Sequence, residues 1–432
     1  MTVASTPHLR RVGLVLTILS LAAIAYATLL PEPGRPLDAH FCLVCGSLGG
    51  VDAILNVLLF IPLGVGLALS GVPCRRALLT MSVLSVLIET AQFFVIPGRD
   101  ATIGDVLTNT LGGALGIAIS RYPQLWFRPP PRIARNISMG WGAMWLAIQI
   151  VSNFGFALSL PDSQYYGQIA RVLGNYALFH GLVLSASVDD VQIPNTALVD
   201  SRKVQQLLGQ GATIATTVVA AEPTLKVAPI VRVADANKNE IVLLAQNGES
   251  FVFGVHNGAA VLHLRPTLFA LAGAFSARVS TALLPNDTLR LRGRYAAEEV
   301  TLTMQSGSES RDRRIPLIAS LGWTFLLPFQ WFIEGTPSEL VVSWIWIAGL
   351  AIPLGYWLFR SNYSSRSQGT LRKWSPVFLG VVALLWAGLV LVPQGFGLSA
   401  APLRDWLATF AGVLIGAGLS ALIELIGNRE LA

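Results

Sequence analysis

Charge is the scarcest property of this chain. Only 12% of its 432 residues are Asp, Glu, Lys or Arg, against 53% that are hydrophobic; a water-soluble globular chain carries roughly a quarter charged residues. The deficit excludes a chain solvated by water along its whole length. The formal charge of +6 is small for this length. Its arginines stand in links between apolar runs, a pattern that suits membrane orientation rather than a nucleic-acid surface, so no nucleic-acid partner is expected. Three cysteines are too few for a disulfide framework. His8, His180, His256 and His263 show no ligand spacing. No Ser-His-Asp arrangement lies in the apolar part, and no glycine-rich phosphate loop follows a strand. No cofactor is implied, and the residues leave open whether the protein is an enzyme.

What the chain has in plenty is long apolar runs. A spanning helix needs roughly 20 mostly apolar residues. Runs of that kind fall at Val12–Leu30, Val51–Leu69, Ala77–Ile96, Ile103–Ser120 and Ile137–Leu158, and again at Ile315–Ile333, Val341–Phe359, Pro376–Val392 and Leu403–Leu425. The expectation is nine spans. The first run has a basic front (Arg10, Arg11) and an Ala25-Tyr-Ala27 triplet like a signal-peptide cleavage site. Its length favours a retained span.

Arg10 and Arg11, then Arg75 and Arg76, then Arg121, Arg128, Arg132 and Arg135 mark three links as cytoplasmic. The polar stretch Pro161–Arg314 then falls outside, in the periplasm. The second half disagrees, because nine spans put Arg360, Arg366, Arg372 and Lys373 outside as well. A re-entrant Ile137–Leu158 would reverse the polar stretch and remove the conflict; the first-half bias favours the outside placement.

Three landmarks recur in order. Thr28-Leu-Leu-Pro31 is echoed by Leu326-Leu-Pro328, and Leu59-Phe-Ile-Pro-Leu-Gly64 by Leu350-Ala-Ile-Pro-Leu-Gly355. Asp105, Leu107, Gly112, Gly116 and Ser120 match Asp405, Leu407, Gly412, Gly416 and Ser420. An internal repeat is expected, as transporter folds often have. The second copy has shed nearly every polar group: Asp52 aligns with Ser343, Asn56 with Ile347, Glu89 with Leu385, Gln92 with Gly388 and Asn109 with Thr409. Chemistry is therefore expected in the first half.

There the polar residues pair on helix faces: Asp52 with Asn56, Glu89 with Gln92, Asp105 with Asn109. At ~1.5 Å per residue, Asp52 and Asp105 sit just inside the outer boundary, and the rest lie within roughly 12 Å of it. Arg99, in the link Pro97-Gly-Arg-Asp100, is placed to pair with those carboxylates or hold an anion. Intramembrane ionisable groups are costly and usually face a bundle interior. Three readings stand: helix packing, a ligand cup open to the periplasm, or a divalent-cation site, for which no spacing here is diagnostic. Cys42-Leu-Val-Cys45, beside His40, reads as a disulfide, two unpaired thiols, or a metal or redox pair.

Thr28-Leu-Leu-Pro31, Asp52-x3-Asn56-x3-Phe-Ile-Pro-Leu-Gly64, Glu89-Thr-Ala-Gln-Phe93, Pro97-Gly-Arg99 and Asp105-x3-Asn109-x2-Gly112-x3-Gly116 together resemble the VanZ-like family over residues 12–120. The resemblance implies a protein of the bacterial cytoplasmic membrane and a link to teicoplanin susceptibility; it supplies no reaction.

From Ala212 to Thr303 short β-branched runs alternate with turn residues at spacings near ten, as in an all-β sandwich. Asn257-Gly258 reads as a hairpin turn. The rhythm resembles a laminin-G/concanavalin-like jelly roll, which implies glycan or protein binding. The expected organisation is a four-helix membrane domain (1–136), a linking helix (137–158), a β-sandwich (159–314) and a degenerate four-helix repeat (315–432). The fold class is an all-α polytopic membrane bundle with an inserted jelly roll. Membrane lipid is the expected partner, with an envelope glycan or glycolipid beside it. Two rival functions are a transporter or flippase built on the repeat, and a non-catalytic scaffold.

Overall fold

A computed structural model describes residues 7–31, 41–42, 48–97, 99, 101–171, 176–219, 223–275, 288–363 and 370–429. The chain forms two compact units, residues 1–137 with 360–364, and residues 138–359 with 365–432. Among the described residues, seven helices are long and apolar enough to cross a membrane, as expected where lipid offers the backbone no hydrogen-bond partners. This is a multi-pass membrane protein.

The first unit is built from α1 (Pro7–Leu29), α2 (Gly49–Leu69), α3 (Cys74–Phe94) and α4 (Ile103–Arg121). Gly71, at φ 86°, closes the turn between α2 and α3 in a left-handed conformation that suits glycine. Thr102 caps α4, its hydroxyl accepting from the Asp105 N–H at 2.8 Å. Ile24, Phe60, Leu63, Ala77, Met81, Ile88 and Ile117, drawn from all four helices, form the core. Helices α2 and α4 meet backbone to backbone. A Cβ on Gly112 would strike the carbonyl of Val57, one on Gly116 that of Ile61, and one on Gly64 that of Gly113. Small residues permit that approach, which supplies the packing attraction lipid cannot.

The second unit holds α5 (Pro131–Phe156, from residue 138), α6 (Pro337–Tyr363), α7 (Thr370–Trp386, running through a π-turn at Ala387–Leu391 to Gly395) and α8 (Leu403–Arg429). Trp145, Ile347, Leu385 and Leu389 form the buried apolar centre of these helices. Helix α5 packs on α6 through the Trp141 indole, which donates to the Leu350 carbonyl at 2.8 Å. It is more polar than the seven spans, burying Gln149, Ser152 and Asn153. The α6/α8 contact repeats the α2/α4 chemistry. A Cβ on Gly412 would strike the carbonyl of Ala348, one on Gly416 that of Ile352, and one on Gly355 that of Val413.

Between α5 and α6 the described residues form two six-stranded sheets. The strands are β1 (Tyr165–Ile169), β2 (Leu182–Val188), β3 (Val191–Gln192), β4 (Thr213–Val219), β5 (Thr224–Asp235), β6 (Glu240–Gly248), β7 (Ser250–Val255), β8 (Leu268–Leu271), β9 (Thr288–Tyr295), β10 (Glu299–Ser306), β11 (Glu309–Pro316) and β12 (Phe332–Ile333). Sheet orders are β12-β8-β7-β6-β5-β1 and β11-β10-β9-β4-β2-β3. Alternation in β9 buries Leu289, Leu291 and Tyr295 against the other sheet, where the Tyr295 and Phe269 rings lie 6.0 Å apart.

Three expectations need correction. Ile315–Ile333 is not a span: it holds the end of β11, a 3-10 turn at Ala319–Leu326 and β12. Pro316 and Pro328 interrupt any helix there, and Ile315, Leu317, Ile318, Leu321, Phe325 and Ile333 are buried in protein. The Leu326-Leu-Pro328 landmark therefore belongs to the β-region. Strands also begin well before Ala212. Finally, Asn257-Gly258 opens the helical turn Gly258–Val261 instead of a hairpin, because Asn257 donates to Thr267 Oγ1 at 2.8 Å and Gly258 lies against the Phe154 carbonyl. Within the stretch Ala212–Thr303, where short strands are expected, residues 220–222 and 276–287 lie outside the described residues.

Candidate functional site

Helix geometry brings the predicted polar residues to one end of the first unit. Asp52 and Asp105 occupy the first turns of α2 and α4, while Glu89 and Gln92 lie toward the end of α3. The Glu89 carboxylate accepts from the Thr102 N–H at 2.7 Å, so α3 holds the entry to α4. Asp105 accepts a hydrogen bond from the Asn56 side chain and feels the charges of Arg99 and Glu89. One turn below, Asn109 donates to the Ser85 hydroxyl at 2.9 Å. Asn56, Glu89, Arg99 and Asp105 thus form one cluster, with Asn109 beneath it.

The other two sit differently. Gln92 donates to the Thr28 carbonyl of α1 at 2.9 Å. Asp52 is exposed, one turn above Asn56 on the same face of α2. Arg99 does more than pair with a carboxylate: its Nη2 and Nε donate to the carbonyls of Ala27 and Leu30, at 3.1 and 3.3 Å. A cation there satisfies the last carbonyls of α1 and opposes its dipole.

The buried oxygens Gln92 Oε1 and Asn109 Oδ1 accept no hydrogen bond among the described residues. Asp52, Glu89 and Asp105 add carboxylates, which only accept when ionised. Among the described residues, no group of three or more His, Cys, Asp or Glu side chains is arranged to hold a metal ion.

Ser85 and Thr102 are partners that sequence reasoning missed. Both had a signal: Ser85 lies one turn from Glu89 on the same face, and Thr102-x-x-Asp105 is a helix-capping pattern. Of the cysteine pair, Cys45 lies outside the described residues, as does His40. The Cys42 backbone forms a short parallel pairing with Thr102.

In the second unit, polar side chains of α6 and α8 meet the turn that follows the sheets. Asp405 is 1% exposed, and its Oδ2 accepts from the Ser320 hydroxyl at 2.8 Å. The Trp323 indole donates to the Ser343 hydroxyl at 3.1 Å. Ser320 and Trp323 both belong to the 3-10 turn Ala319–Leu326. Away from the helices, a groove of about 770 Å³ on the outer face of the second sheet is lined by Asp189, Asp190, Arg292, Arg294, Glu299 and Arg314, among others.

Comparison with known proteins places a family on the first unit. The VanZ/LLP1 family model matches residues 14–127, which span α1 to α4. Neither the curated proteins nor the solved structures gave a match. The chain therefore carries a VanZ/LLP1 domain, formed by its first four helices and holding the cluster of Asn56, Glu89, Arg99 and Asp105.

Proposed function

We propose that the VanZ/LLP1 domain engages the headgroup of an envelope lipid or lipid-linked glycan from the outer leaflet of a bacterial cytoplasmic membrane, and thereby affects glycopeptide susceptibility. The observation that carries this reading is the meeting of Asn56, Glu89, Arg99 and Asp105 at one end of a bundle otherwise apolar. Charged and amide groups at that depth are costly, and ligand contact is a common reason for them.

Topology supports the same reading. With Ile315–Ile333 removed from the spans and α5 counted, eight helices cross. Arg360, Arg366, Arg372 and Lys373 then fall inside, with Arg75, Arg76, Arg128, Arg132 and Arg135. Glu334 and Glu339 fall outside, and the conflict in the positive-inside pattern disappears. The β-region and the polar cluster both face the periplasm on this count. Reporter fusions after residues 230 and 366 test it: periplasmic activity at the first and cytoplasmic activity at the second are expected, and the reverse would overturn the orientation.

An internal repeat is favoured by the glycine contacts. Val57 and Ala348, Ile61 and Ile352, Gly64 and Gly355 are aligned pairs, and each makes the same contact with the matching residue of α4 or α8. On this reading α5 takes the place of α1, and the β-region is an expansion of the link between the first and second helices of the copy. A jelly-roll topology and glycan binding by the β-region belong to the same proposal. The functional test is envelope-level. Asp52→Ala and Glu89→Ala should each change glycopeptide susceptibility at unchanged protein abundance; unaltered susceptibility in both would end the case.

A further inference from the structure

The two sheets of the β-region treat their outer faces differently. In the first, β6 is buried at every position from Ile241 to Ala245 and β7 at every position from Phe251 to Val255, so both faces there are covered. In the second, β9 alternates. Leu289, Leu291 and Tyr295 are buried, while Arg290, Arg292 and Arg294 stand exposed on the opposite face. That face is open and polar.

Register decides what stands beside those arginines. Arg294 lies between Thr213 of β4 and Thr301 of β10, and Thr301 in turn neighbours Arg314 of β11. Arg292 lies between Ala215 and Thr303, and Arg290 between Thr217 and Gln305. Three arginines about 7 Å apart along the strand thus form a column with uncharged flanks. Carboxylates keep to the margins: Asp189 and Asp190 in the turn from β2 to β3, Glu299 at the first position of β10, and Asp312 on the edge strand β11. Asp189 accepts from the Thr213 N–H at 2.9 Å, and Arg294 Nε donates to the Gly211 carbonyl at 2.8 Å, which anchors one end of the column. Sheet packing does not call for such a column, because like charges repel and threonine suits a strand better. Among the described residues that line the groove none is aromatic, so it offers no ring on which a neutral sugar would stack.

From this we infer that the outer face of the second sheet binds a glycan chain bearing anionic groups, carboxylate or phosphate, laid along β9 with its acids on Arg290, Arg292 and Arg294. Guanidinium forks match the oxygens of either anion, and the threonine hydroxyls on both flanks can donate to or accept from sugar hydroxyls. The inference rests on the glycan reading of the β-region above and narrows it to an acidic glycan. A chain fits the column better than a membrane surface does. The Tyr295 hydroxyl ties the end of β9 to the Phe156 carbonyl at the end of α5, so the column leads away from that helix end. A surface at the helix end would meet chiefly Arg294, whereas a chain laid along the strand meets all three.

The test is biolayer interferometry of the full chain in detergent over immobilised polygalacturonate, dextran phosphate and dextran. One or both acidic chains should be retained and dextran should not, with binding that weakens as salt rises. Arg290→Thr and Arg292→Thr should each weaken retention about tenfold, the equivalent of one charge-assisted hydrogen bond, at unchanged Tm. Both positions are exposed and threonine is a strand former, so these variants keep the fold. Arg202→Thr, in the short helix Ser201–Gly209 outside the groove, removes the same charge and should leave retention unaltered. Equal weakening by Arg202→Thr would reduce the effect to net charge and overturn the inference. Dextran held as tightly as the acidic chains would overturn it and leave the glycan reading standing. Retention of no polysaccharide, whether or not phosphatidylglycerol vesicles bind, would overturn both.

Discussion

The two helical units share a frame and differ in what stands at its polar end. In each, one helix pair is drawn together by glycines pressed against carbonyls at matching positions. In the first, the pair ends in Asp52, Asn56 and Asp105, joined by Glu89 and Arg99. In the second, Ile347 and Leu385 are buried in an apolar cluster, and Asp405 and Ser343 accept hydrogen bonds from the turn Ala319–Leu326. The same turn leads from the sheets to α6, so the Ser320 and Trp323 bonds fasten the β-region to its helices. The Tyr295 hydroxyl donates to the Phe156 carbonyl and adds a second fastening. The lesson is that backbone packing and site chemistry are separable: glycines preserve the one while the other is exchanged for a structural joint.

The largest effects should come from the shared frame. Gly116→Ala and Gly416→Ala each drive a Cβ into a carbonyl that only backbone movement can clear. Each should cost about 1–3 kcal/mol, read as a lowered Tm of the purified chain. Gly349→Ala, with open space around it, should be neutral or slightly stabilising. A large effect in one unit and none in the other would break the comparison.

Next come the aspartates. Asp405→Ala removes a buried acceptor from Ser320 and should destabilise by about 1–3 kcal/mol. Asp105→Ala, half-buried, should cost less stability and change glycopeptide susceptibility. Glu89→Leu orphans the Thr102 N–H, so about 1–3 kcal/mol is expected. Glu89→Gln keeps an acceptor and should lose clearly less than Glu89→Leu in the same melting assay. Smallest of all, Ser82→Ala removes one contact with the Thr110 hydroxyl, at 3.2 Å, and should cost about 0.6 kcal/mol.

Much of the first unit could be read from its residues. The four apolar runs became α1 to α4, and the pairs Asp52/Asn56, Glu89/Gln92 and Asp105/Asn109 fell on shared faces because a helix repeats every 3.6 residues. Two things resisted. Hydropathy does not distinguish a run buried in protein from one buried in lipid, so Ile315–Ile333 passed for a span until its strands found partners in a sheet. On the eight-span reading proposed above, that one error also accounts for the clash in the arginine pattern. Hydrogen bonds to backbone were the second blind spot. Arg99 was read by its charge, yet its geometry is decided by unpaired carbonyls at the end of α1, which no side-chain pattern announces.

The claim most open to direct challenge is that lipid recognition resides in the first unit while the matching carboxylate of the second serves as a joint. Measuring the glycopeptide susceptibility of cells carrying Asp105→Asn or Asp405→Asn, side by side at equal protein abundance, addresses it. Susceptibility should change in Asp105→Asn and stay at the unmodified level in Asp405→Asn. Equal change in both variants, or change confined to Asp405→Asn, would contradict the account.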